Sequence, residues 1–181
     1  MKYAMTYKAS LRDTDLYELF DRLGDAGRRE NTFHDGWIRK HHDFRDLVRR
    51  DDVHFWALNG DGNQWGMFWI TDLRHGAANI HFAMLGSAHP VSEVRIARFA
   101  VASLLHRMKD GKGFLVDFLH GTTPARNEAA CRWIRKVGFM PVGEVPGAVW
   151  MADTERLEPA LISCATRETA PEDWIRSAVP F

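Results

Sequence analysis

The feature that most constrains the fold is a run of three strands joined by two tight turns in the middle of the chain. The strands are predicted over residues 53–58, 64–73 and 79–85, which are rich in β-branched and aromatic side chains. The turns are Gly-Asp-Gly-Asn at 60–63 and Arg-His-Gly-Ala at 74–77. Strands linked by turns this short must lie antiparallel as neighbours. The pattern therefore predicts an antiparallel meander.

The segments before the meander are predicted to be one strand and two helices. Residues 3–8 are rich in β-forming side chains, and Asp13 or Thr14 can cap a helix whose apolar residues recur at helical spacing. Thr32 and Asp35 have the spacing of a capping box, which predicts the start of the second helix. We expect both helices to lie on the sheet.

The segments after the meander alternate between helices and strands. Ser92 is predicted to cap a helix that ends near residue 109, and a further helix is expected at about 127–137. Between them, residues 114–120 are apolar on both faces apart from Asp117. Such a run is typical of a central strand that is covered on both sides.

The end of the chain is predicted to be a hairpin and a tail. Residues 139–142 and 148–152 are expected to close the fold as a hairpin, giving the order β-α-α-β-β-β-α-β-α-β-β. This order predicts a mixed α/β domain, an α+β mixed sheet, over residues 1–152. Three prolines interrupt residues 153–181, which are predicted to be a tail that docks on the domain or binds a partner.

Composition excludes several classes of function. Lys plus Arg and Asp plus Glu both number 24, which disfavours a nucleic-acid binder. No apolar run approaches the roughly 20 residues of a membrane helix, and no secretory signal is expected. The two cysteines, Cys131 and Cys164, form no disulfide framework, and His41-His42 lack further ligands for a metal. These features predict a cytoplasmic protein without a metal site.

Residues 123–139 carry a motif of moderate specificity. Asn127 opens an Asn-x-x-Ala step that is followed by a short helix and by Lys-x-Gly-Phe, ending at Phe139. With the element order over residues 3–152, this stretch resembles the GNAT N-acetyltransferase superfamily, including GNAT-like proteins of tailed phages. The resemblance implies an acyl-CoA N-acyltransferase fold, acetyl-CoA as the donor, and a small-molecule or peptide amine as the acceptor. It leaves a homodimer open.

The resemblance also implies where coenzyme A binds. The fourth and fifth strands are expected to splay apart, with pantetheine along the fourth strand and the diphosphate on amides at the following helix start. The implied binding residues are Met84, Leu85, Ser92, Val94, Arg95, Ile96, Ala97 and Asn127. The chain departs from the family pattern where Arg95 replaces a glycine, so this side chain either hinders the diphosphate or contacts it. Glu93 beside an anion is unfavourable unless it points away.

Two residues are candidate bases. His81 matches a position where some family members carry a glutamate base, although a satisfied histidine in a half-buried strand is the alternative. Asp117 is either a core carboxylate paired with an arginine or a base with a raised pKa. Ile134 stands where many members carry a tyrosine that protonates the leaving thiolate.

Two functions therefore remain open at the level of the sequence. The first is an N-acetyltransferase in which the amine attacks the thioester directly. The second is a GNAT-fold binding or assembly module, for example one associated with a phage, that uses coenzyme A weakly or not at all. The altered helix start and the predicted tail favour the second.

Overall fold

The computed structural model describes residues 2–86, 90–107 and 115–176. Within them one seven-stranded sheet has the order β1-β2-β3-β4-β5-β7-β6. Its strands are β1 (Tyr3–Tyr7), β2 (His54–Gly60), β3 (Asn63–Arg74), β4 (Ala77–Met84), β5 (Phe118–Pro124), β6 (Met140–Met151) and β7 (Arg156–Thr166). The helices are α1 (Asp13–Asp25), α2 (Arg29–Thr32), α3 (His41–Arg49), α4 (Pro90–His106), α5 (Glu128–Val137) and α6 (Asp173–Arg176).

The predicted meander and the mixed α/β class are confirmed. Strands β2, β3 and β4 pair antiparallel in succession, with Trp69 opposite Phe55 on one side and His81 on the other. Strand β1 adds to β2, and β4 pairs with β5 in parallel. This parallel step requires the long crossover through α4.

Helices cover both faces of the sheet. On one face, Phe20 of α1 and Phe44 of α3 are buried in a core cluster that includes Trp69 of β3. On the other, Ile96 of α4 and Ile134 of α5 pack with the apolar residues of β3 to β5. Burying each large side chain of this kind contributes about 1.5–3 kcal/mol, so both layers hold the sheet in place.

Two helix starts differ from the prediction. The second long helix begins at His41 rather than Thr32, because the backbone N–H of Lys40 donates to the Asp43 carboxylate at 2.9 Å. Helix α4 begins at Pro90, so Ser92 lies inside the first turn and does not cap it. Its predicted end near residue 109 lies outside the described residues.

The C-terminal strands also differ from the prediction. Strand β5 starts at Phe118 and continues through Pro124, four residues beyond the strand end at residue 120 that the sequence predicts. The predicted hairpin within 139–152 is wrong, since residues 140–151 form one bulged strand, β6. Its partner, β7, comes from residues 156–166 and lies between β5 and β6. The boundary predicted at 152 thus falls in a hairpin turn, and residues 156–166 belong to the sheet rather than to a tail.

Candidate active site

A wedge opens between β4 and β5. The two strands pair over Ala77–Asn79 and Phe118–His120 only. Beyond that point, β4 keeps its partner β3 as far as Met84, whereas β5 pairs with β7 as far as Pro124. The predicted splay is therefore present. In the described part of the chain, the backbone of residues 80–84 has no strand partner on the side that faces β5.

A cavity of about 360 Å³, here called the cleft, fills this wedge. Part of its lining is apolar and comes from Phe82, Met84 and Ile134. The polar part of the lining, here called the polar wall, comes from Asn31, His34 and His81. The other lining residues are Arg28, Thr32, Trp69, Ile80, Ala83, Glu93, Gly121, Thr122, Thr123, Pro124, Asn127, Ala129, Ala130 and Trp133. A free strand edge beside an elongated opening suits an extended ligand that carries amide groups. The pantetheine arm of coenzyme A fits this description.

The structure brings Met84 to the cleft but directs Leu85 elsewhere. The carbonyl of Met84 accepts a hydrogen bond from Arg28 Nη1 at 3.2 Å. The N–H of Leu85 donates to the carbonyl of Trp65 at 3.0 Å, and its side chain packs beneath α1. No pattern in the sequence around Arg28 predicts its contact with Met84.

None of the five residues predicted to bind the diphosphate at the start of α4 lines the cleft. Ile96 and Ala97 are fully buried in the core, and the charge of Arg95 acts on Tyr3 of β1. Because α4 begins at Pro90, the amides from Val94 onward have carbonyl partners within the helix. A role for these residues in binding stays a prediction.

Glu93 is the residue of α4 that lines the cleft. Its carboxylate is 7% exposed and lies 3.4 Å from Arg28 Nη1. The Glu93 carboxylate therefore points toward Arg28 and the cleft.

His81 lies on the polar wall, on the opposite face of β4 from Ile80 and Met84, as the alternation predicts. Its ring stacks on Trp69 with 5.0 Å between centroids, and its Nε2 is 3.4 Å from Thr71 Oγ1. Burial lowers the pKa of His81 to about 4, against the opposing effect of Asp72. The imidazole is therefore unprotonated at neutral pH and can accept a proton or a hydrogen bond.

Asn127 caps α5, as predicted. Its Oδ1 accepts a hydrogen bond from the N–H of Ala130 at 3.1 Å, and its side chain also lines the cleft. The capping bond uses the amide oxygen and leaves the amide nitrogen as a donor. A contact with coenzyme A stays a prediction.

Asp117 does not lie where the sequence predicts. It precedes β5, its side chain is 57% exposed, and it is absent from the residues lining the cleft. Its expected arginine partner is present, since Arg167 donates to its carboxylate. Asp117 is thus an exposed, paired carboxylate. Its backbone N–H donates to the carbonyl of Gly76 in the β3–β4 turn, so it lies at the start of β5, where β4 and β5 still pair.

Sequence reasoning missed several residues of the site. Arg28, Asn31 and His34 come from the connection around α2, where the pattern indicated only a helix start. Trp133 lies within the motif, and its indole N–H is buried without a partner among the described residues, as is Nδ1 of His34. The available signal for Trp133 was its place in the sequence, directly before Ile134, which the resemblance already puts at the site.

A second, more open cavity of about 500 Å³ adjoins the cleft. It shares Asn31, His34 and Asn127 with the cleft and extends to Arg126 and Met151. Ala152, which directly follows Met151, donates its N–H to the carbonyl of His34 at 2.9 Å, and this bond ties the α2–α3 connection to the end of β6. The shared residues show that the two cavities lie next to each other.

Comparison with solved structures identifies the fold. A mutant of the spermidine N-acetyltransferase of Vibrio cholerae superposes with a TM-score of 0.67 at 8% identity, over 95% of this chain and 98% of that chain. The same enzyme in complex with CoA and spermine gives 0.64 at 10% identity, over 92% and 97%. An N-acetyltransferase of Staphylococcus aureus Mu50 gives 0.65 at 11% identity, over 92% and 98%. The chain has the GNAT fold. At the sequence level, no family model and no curated protein matches it.

The assignment of Ile134 to the position of the family's acid stays a prediction. Ile134 lies on α5 and lines the cleft, and none of the three tyrosines, Tyr3, Tyr7 and Tyr17, does so. Among the described residues, no group of three His, Cys, Asp or Glu side chains could hold a metal ion. No helix in the described ranges combines the length and apolar character needed to cross a membrane.

Proposed function

We propose that this protein is an N-acetyltransferase that transfers an acetyl group from acetyl-CoA to a primary amine. The observation that carries the proposal is the wedge, in which the free edge of β4 lies beside a polar wall that contains His81. The likeness to N-acetyltransferases, one of them in complex with CoA and spermine, supports it.

The residues of the cleft would act mainly by positioning. The edge of β4 up to Met84 and the amide nitrogen of Asn127 offer hydrogen bonds to the donor. The acceptor would enter through the adjoining open cavity, past His34. Holding the two reactants together in this way converts a bimolecular reaction into an effectively unimolecular one.

His81 would accept the proton that the amine must lose. The amine nitrogen attacks the thioester carbonyl carbon, the C–S bond breaks, and the proton moves to the imidazole directly or through a water. With a pKa of about 4, His81 would pass that proton on to solvent rather than keep it. Ile134 has no proton to give, so the thiolate would be protonated by water.

The alternative is a GNAT-fold binding or assembly module with weak use of coenzyme A. Two observations favour it, namely the buried carboxylate of Glu93 in the first turn of α4 and the apolar Ile134. Neither removes the wedge itself, which is why the enzyme remains the conclusion.

Ligand binding and turnover distinguish the two. Acetyl-CoA at about 100 times its dissociation constant should add roughly 2.7 kcal/mol to the free energy of unfolding, which a thermal shift detects. Release of free thiol is then followed over a panel of polyamines, amino acids and peptide N-termini. His81→Ala should lower kcat/KM, but by less than the roughly 10²–10⁴-fold expected for a base whose pKa lies near the operating pH, because the pKa of His81 is about 4. His42→Ala, at an exposed position paired with Asp43 at 3.1 Å, is the matched control. Absence of any shift at millimolar acetyl-CoA would favour the module.

A further inference from the structure

We propose that the Arg28–Glu93 ion pair, at the end of the cleft nearest the start of α4, opposes the binding of phosphate, so that coenzyme A must compete with Glu93 for Arg28. This inference rests on the proposed function, because it assumes that the cleft receives coenzyme A. It predicts that the chain weakens its own affinity for the phosphates of the donor.

The first step concerns the charges of the cleft. Among the described residues, Arg28 is the one Lys or Arg that lines it, and Glu93 is the one carboxylate. A diphosphate needs cationic or N–H donors, and a guanidinium suits its geometry. The cation best placed to receive phosphate is therefore already opposed by a carboxylate.

The second step concerns burial. The Glu93 carboxylate is 7% exposed, whereas the Arg28 side chain is 40% exposed. A charge buried to this degree needs a partner. Arg28 reaches Glu93 at 3.4 Å while donating to the carbonyl of Met84 at 3.2 Å, so it bridges α4 and the end of β4.

The third step concerns the remaining donors of Arg28. A guanidinium has five N–H groups, and the contacts with Met84 and Glu93 both use the same nitrogen, Nη1. Because the side chain is partly exposed, its other N–H groups are accessible from solvent while Nη1 contacts Glu93 and Met84. A phosphate that approached it would meet Arg28 and Glu93 together, and the repulsion from Glu93 would offset part of the attraction.

The test measures binding, not turnover. Calorimetry compares coenzyme A with pantetheine, which lacks phosphate, on the wild type and on Glu93→Gln. We expect Glu93→Gln to bind coenzyme A about tenfold more tightly, the scale of one charge-assisted hydrogen bond, with the affinity for pantetheine unchanged. Glu172→Gln, at an exposed carboxylate that pairs with Arg176 and does not line the cleft, is the control and should change neither affinity.

A second variant guards against misfolding. Arg28→Gln alone leaves Glu93 buried with fewer partners, so the double variant Arg28→Gln/Glu93→Gln is used. It should lose the gain seen in Glu93→Gln. Unchanged or weaker binding of coenzyme A by Glu93→Gln, or an equal gain for pantetheine, would overturn the inference and leave the proposed function standing. Absence of coenzyme A binding by both folded proteins would overturn both.

Discussion

The His81 side chain couples the candidate site to the stability of the fold. An unfolded chain protonates this imidazole near pH 6.5, but burial against Trp69 lowers the pKa to about 4 in the folded protein. Between these values the unfolded state binds more protons, so the free energy of unfolding falls as pH falls from about 6.5 to about 4. Above pH 6.5 both states are neutral at this site, and it contributes no pH dependence.

His81→Gln should flatten this part of the pH profile. In the wild type, the titration of His81 lowers the free energy of unfolding by at most about 3 kcal/mol at pH 4, and the variant should avoid this loss. Urea unfolding of wild type and variant over a series of pH values measures the difference, which cancels the titration of other groups. His42→Gln, at a site 58% exposed, is the control variant. Parallel profiles for wild type and His81→Gln would show that the folded imidazole titrates normally.

Asp117 shows where single residues mislead. Apolar neighbours on both sides predicted a buried strand, yet the strand begins one residue later and the carboxylate is half exposed. The sequence predicts that an arginine pairs with Asp117 but not which arginine, because Arg167 is fifty positions away. Burial of a residue at the end of an element depends on where the element starts, and pattern alone does not fix that.

The two partners should therefore respond unequally to substitution. Asp117→Asn should lower the free energy of unfolding by less than about 1 kcal/mol, as exposed ion pairs do. Arg167→Ala should cost about 2 kcal/mol, because Arg167 also donates to the carbonyls of Leu105 and Val116. Chemical denaturation measures both. Equal losses would mean that the ion pair, and not the backbone contacts, carries the effect.

At the scale of elements, local signals predicted α5 well. Asn127 caps it, and Gly138 follows it with a φ of 103°, a conformation that glycine adopts at low cost. Both signals lie within a few residues of the helix they limit. Strand β7 has no such local signal. Pro159 lies within it and disfavours a strand in the sequence pattern, and its pairing partners lie in the distant strands β5 and β6.

Substitutions at Asn127 separate its cap from its predicted ligand contact. Asn127→Ser keeps a capping oxygen but removes the amide nitrogen, so stability should hold within about 0.5 kcal/mol while the affinity for coenzyme A falls. Asn127→Ala should lose about 1 kcal/mol of stability as well. Thermal denaturation and calorimetry give the two readings. Full affinity in Asn127→Ser would restrict Asn127 to the cap.

At the scale of the whole molecule, the site combines predictable and unpredictable parts. His81, Met84 and Asn127 lie on a strand and a helix that the sequence predicts, and all three line the cleft. Arg28 and His34 come from the connection around α2, and nothing in their local sequence places them beside β4. The order of elements is thus readable, whereas contacts between distant segments depend on packing.

The position of β7 leads to a prediction about truncation. A chain ending at residue 152 would leave β5 and β6 without the strand that joins them, although the sequence pattern alone predicts a complete domain there. It would also lose Leu161 and Ala165 from the core beneath α4 and α5. Because domains are stable by only about 5–15 kcal/mol, this loss should abolish cooperative folding. A chain ending at residue 176 keeps β7 and the buried Ile175 of α6, and it serves as the control. Circular dichroism melts of both chains make the comparison, and a cooperative transition in the shorter chain would show that residues 1–152 fold without β7.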